Sequence, residues 1–134
     1  MTDTNDVTDL WGEIVTEPIR TPLAILREQG AILERRTNGI LTVKIVSQSS
    51  KSESFSHTFY INASHLNYSY GAFVIHHPIE LYPVEVVFDG IDPFGGNRQT
   101  ASDEHQFLEL LKRVLQSDKI QKVISALLSQ DIAA

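Results

Sequence analysis

The chain has 134 residues, no cysteine and a formal net charge of −6. That length fits one domain, and the missing cysteine excludes a disulfide framework, a thiolate metal site and a cysteine nucleophile. Asp3, Asp6, Asp9, Glu13 and Glu17 fall in residues 1–17 with no Lys or Arg, which leaves 12 acids against 11 bases in the remainder; so neutral a body lacks the basic footprint that a nucleic-acid partner requires.

Residues 1–17 read as an acidic, flexible N-terminal arm, and residues 18–134 as a single α+β domain. Met1 to Asp9 are small, polar and acidic, a composition that favours disorder. Leu10, Trp11, Ile14 and Val15 have the spacing of one helical turn. Trp11, the single Trp of the chain, either anchors the arm on the body or presents an aromatic to a partner or to a second copy. No apolar segment marks a signal peptide, and no run is long enough to span a membrane. With the absence of cysteine, these features point to a cytoplasmic protein without a membrane partner.

Thr21-Pro22 begins a helix, since Thr caps free amides and Pro at the first position lacks a donor that would go unused. Asn38-Gly39 ends it. Leu23, Leu26, Gly30 and Leu33 form one apolar stripe, and Ile25 with Ile32 a second. A helix with two stripes is buried on two sides, here by the sheet and by a C-terminal helix or a partner chain. Ile40 to Val46 alternates as a strand, and Ser47 to Ser54 is a polar loop.

The block from Phe55 to Phe88 holds all four Tyr residues. Breaks at Ala63–Asn67 and His77–Leu81 divide it into three antiparallel strands. In the first of these, His57, Phe59 and Ile61 share the core face, and Tyr60 and Thr58 the other. A single register that sets Phe73 and Ile75 beside Phe59 and Ile61 sends Tyr68, Tyr70, Ala72, Val74 and His76 outward with Tyr60. In the last strand Val84, Val86 and Phe88 face inward, and Pro83 makes it an edge or lies at its start. Asp89 to Ala101 reads as a linker. Ser102 caps a helix lined by Phe107, Leu110, Leu111 and Val114; Ser117-Asp118 then starts a second, short helix carrying Ile120, Val123, Ile124 and Leu127, with a frayed end at Gln130–Ala134. The expected fold is α+β: an N-terminal helix, a four-stranded antiparallel meander, and two C-terminal helices packed on one face of the sheet.

Catalytic patterns are absent. No G-x-S-x-G, P-loop or dinucleotide fingerprint occurs, and Asp89-Gly90-Ile91-Asp92 lacks the later ligands of a calcium loop. His76 and His77, adjacent in a strand, point to opposite faces. His57 and His77 share the core face and become diagonal neighbours if the register holds, but no third ligand accompanies them. Gly95-Gly96-Asn97-Arg98 is either a tight turn or an amide nest for an anion, with Arg98 as its charge. No metal and no cofactor are expected.

In length, acidity and mixed α+β content the chain is similar to bacterial secretion chaperones and to small immunity proteins, a compositional resemblance that implies a binding role. The expected function is a non-enzymatic protein-interaction module, self-associating as a homodimer or bound to another protein. Tyr60, Tyr68, Tyr70, His76 and Trp11 form its expected surface, because Tyr and Trp are enriched at interfaces. The alternative is a small-molecule-binding domain or an enzyme with a site near His57, His77 and the 89–98 loop, where Arg98 lies.

Overall fold

The computed structural model describes residues 7–16, 19–50, 54–92 and 96–133. Its elements are α1 (Pro22–Arg36), β1 (Leu41–Ser49), β2 (Ser54–Ala63), a 3-10 turn (Ser64–Leu66), β3 (Tyr68–Pro78), β4 (Val84–Asp92), β5 (Gly96–Ala101), α2 (Glu104–Leu115) and α3 (Asp118–Ala133). The strands form one antiparallel sheet in the order β1-β2-β3-β4-β5. The α+β class and the meander are as expected, with five strands in place of four. The additional strand, β5, lies in the segment read as a linker. Asn97, Arg98, Gln99 and Thr100 show no apolar alternation; their backbone ladder with β4 holds them, Val84 opposite Ala101 and Val87 opposite Arg98. β4 is therefore an interior strand, and Pro83 stands just before its first residue, where a missing N–H removes no ladder bond.

α1 begins and ends as its sequence dictates. The Thr21 hydroxyl accepts from the Ala24 N–H at 3.0 Å, and Pro22 takes the first helical position. Past the cap residue Thr37, Asn38 and Gly39 are left-handed (φ 53° and 79°), and the Gly39 N–H donates to the Glu34 carbonyl at 2.8 Å. The buried Thr37 hydroxyl donates to the Leu33 carbonyl at 2.9 Å and accepts from the Leu41 N–H at 3.2 Å, which joins helix to strand. Midway along α1, a Cβ at Gly30 would lie 2.9 Å from Val43 Cβ. Glycine thus sets how closely α1 approaches β1.

Asp103, rather than Ser102, caps α2. Its carboxylate accepts from the Gln106 N–H at 2.8 Å, while the Ser102 N–H donates to Gln106 Oε1 at 2.8 Å. α3 is a full helix of 16 residues, and its far end is tied down rather than frayed, because Asp131 meets His65 Nδ1 of the 3-10 turn at 2.7 Å. The core joins Ile25 and Leu26 of α1, Phe59, Ile61, Phe73, Ile75, Val84 and Val86 of the sheet, and Phe107, Leu111, Val114 and Ile120 of the C-terminal helices. All three helices cover the same sheet face. β1 continues to Ser49, into the segment read as a loop, and Lys51–Glu53 lie outside the described residues.

The β2–β3 ladder does not keep one register. Phe59 opposes Phe73, but Tyr60 opposes Gly71 and Ile61 opposes Tyr70. Ala72 is the extra residue of a bulge, and both it and Phe73 are buried. Since side chains alternate with period two, one inserted residue exchanges the faces of everything before it in β3.

Candidate functional site

The bulge corrects the expected aromatic surface. Tyr60 and His76 lie on the open face, His76 between Ser56 and Glu85. Tyr68 opposes Ala63 and Tyr70 opposes Ile61, so both turn to the helix side. Tyr70 packs against the core there, and Tyr68, at the sheet end, is 50% exposed. The Tyr60 ring instead lies across Gly71, 3.3 Å from where a Cβ would stand. What fills the centre of the open face is a cross-strand row of Val46, Thr58, Val74 and Val87, ending at Arg98. Arg98 is paired with Glu85 at 2.7 Å on that face.

His57 and His77 are diagonal neighbours on the helix face, as the register predicts: His57 opposes Ile75, two residues from His77. Their exposures are only 5% and 8%, their Nε2 atoms are 2.9 Å apart, and the Phe55 ring stacks on His77. The proton positions follow from the ends of the chain. The Pro78 carbonyl, 2.7 Å from His77 Nδ1, can only accept, so that nitrogen carries a proton. Neutral His77 then accepts at Nε2 from the His57 Nε2–H, and His57 Nδ1 accepts from the Ser47 hydroxyl at 2.7 Å. Every polar atom is satisfied with both rings neutral. Burial, then the neighbouring His77 and the Arg27 charge, lower the His57 pKa from 6.5 to about 4. Among the described residues no group of three or more His, Asp or Glu is placed to hold a metal. Arg98 lies on the opposite sheet face, so His57, His77 and Arg98 do not converge; Gly95 lies outside the described residues.

The N-terminal arm takes no regular secondary structure over residues 7–16, contrary to the expected helical turn. Nor does Trp11 anchor it: Leu10, Trp11 and Val15 are 88%, 80% and 82% exposed. The arm's root is fixed, because Arg20 pairs with Glu28 of α1 and lies 3.5 Å from Glu104 of α2. The first pairing lowers the Glu28 pKa and raises that of Arg20.

A groove of about 350 Å³ opens between the C-terminal halves of α1 and α2, with α3 closing one side. Phe59 and Ile61 floor it, Ile32 and Leu33 form one wall, and Leu111 and Leu115 the other. Arg36 and Lys112 stand on its rim with Gln29, Gln116 and Gln121, and no acid lines it. Ile32, on the second apolar stripe of α1, is the residue whose position carried a signal for this groove; its opening depends on where α2 and α3 sit.

No helix among the described residues is long and apolar enough to cross a membrane. Comparison with protein-family models, with characterised proteins and with solved structures finds no match.

Proposed function

We propose that this chain is a non-enzymatic protein-interaction module that associates with a second copy of itself, in keeping with a cytoplasmic location. The observation that carries the reading is the arm, whose Leu10, Trp11, Ile14 and Val15 all lie in water in the single chain. Scattered apolar residues at a surface are ordinary, but four exposed within six residues around a Trp have the composition of an interface anchor. A chaperone-like or immunity-like role is compatible with such a module. The open face, with Tyr60 and His76, is a second surface available to a partner. An enzyme or ligand site near His57, His77 and the 89–98 loop has less support, because the two histidines already satisfy one another and Arg98 is neutralised on the other face.

Light scattering of the full chain over a wide concentration range tests the reading. A mass of twice 15.0 kDa that persists on dilution supports it. A monomer at every concentration overturns it.

A further inference from the structure

We infer that the apolar groove between α1 and α2 receives the N-terminal arm of a second copy, so that two chains exchange arms. This rests on the self-association proposed above and names its surface. The first observation is chemical fit. The arm carries Leu10, Trp11, Ile14 and Val15 beside Asp9 and Glu13 and holds no base. The groove offers apolar walls and a rim with Arg36 and Lys112, neither ion-paired among the described residues. An acidic apolar segment thus meets a basic-rimmed apolar slot, the complementarity that steers docking and sets its register.

The second observation is that the arm leaves this groove empty in the single chain: among the described residues no arm residue lines it, and Leu10, Trp11, Ile14 and Val15 stay exposed. A copy related by a twofold axis supplies each groove with the other chain's arm.

Trp11, the single Trp, is the probe. The experiment follows its emission and the light-scattering mass of the full chain together across concentration. The expected result is a blue shift that appears in step with the dimer mass. Arg36→Glu with Lys112→Glu, both exposed positions, should raise the dissociation constant roughly tenfold or more. Adding Asp9→Lys and Glu13→Lys to that variant should restore most of the loss; circular dichroism confirms that each variant is folded. A blue shift in a monomer, independent of concentration, overturns the exchange in favour of an arm on its own body. A dimer in which Trp11 stays in water, or which the rim reversal leaves unchanged, overturns the groove assignment and leaves self-association standing. A monomer throughout removes both.

Discussion

His57 Nε2 donates a hydrogen bond to His77 Nε2 across β2 and β3, at 2.9 Å, in a site almost closed to water. With both rings neutral the donor is defined by the Pro78 carbonyl, which can only accept and so places the His77 proton on Nδ1, leaving its Nε2 to accept.

Acid should therefore weaken the fold through this pair. With the His57 pKa at about 4 in the folded chain against 6.5 ordinarily, the unfolded chain binds more protons between those values. The contribution is complete above pH 6.5 and is lost as pH falls towards 4, by up to about 3 kcal/mol. Urea unfolding at stepped pH checks this. The double variant His57→Leu/His77→Leu should flatten the profile across that window, and an unchanged slope would remove the pair as its cause.

Removing one partner alone should be worse than removing both. His77→Leu leaves the His57 Nε2–H buried with no acceptor, at a cost of about 1–3 kcal/mol, whereas replacing both rings by apolar groups is closer to neutral. Denaturant midpoints for the single and double variants at pH 7 decide between these outcomes.

Gly30→Ala tests the close approach of α1 to β1. Alanine raises helix propensity by about 1 kcal/mol in an open helix, but here the added Cβ stands 2.9 Å from Val43 Cβ. Overpacking of this kind costs about 1–3 kcal/mol, so the net effect should be destabilising. A raised thermal midpoint would contradict the geometry.

The bulge predicts opposite behaviour for two tyrosines. Tyr70→Ala should cost about 2 kcal/mol, since it removes a ring packed against the core. Tyr60→Ala, on the open face, should cost less than about 1 kcal/mol. Equal losses would mean that both rings share one face after all.

Tyr82→Phe should leave stability unchanged or raise it by up to about 1 kcal/mol. The phenol oxygen is buried with no partner among the described residues, and burial pushes its pKa up. Deleting an unpaired buried hydroxyl removes a desolvation penalty. A fall of more than about 1 kcal/mol would reveal a partner for that oxygen.

Local chemistry was readable residue by residue. Thr21-Pro22 and Asn38-Gly39 bound α1, and strict alternation in β2 set its inward face, because caps and periodicities act over a few residues. His57 and His77 as diagonal neighbours were also legible, since the part of the ladder that holds them keeps one register. β5 was not, because Asn97 to Thr100 lack an apolar pattern and owe their conformation to the neighbouring strand. The grouping of Tyr60 with Tyr68 and Tyr70 failed for a related reason: nothing local announces that Ala72 drops out of the ladder.

By itself, then, the sequence determined the α+β class, the meander, the extent of α1, the apolar faces of the helices and the acidic, apolar character of the arm. Those properties follow from periodicity, capping and charge, all carried by neighbours along the chain. Only the tertiary structure decided which tyrosines meet water, that two histidines close into a neutral hydrogen-bonded pair, and that α1, α2 and α3 leave a basic-rimmed groove over Phe59 and Ile61. Each of these depends on how residues far apart in sequence come into register. A single bulge or a shift in helix placement changes them while local propensities stay the same.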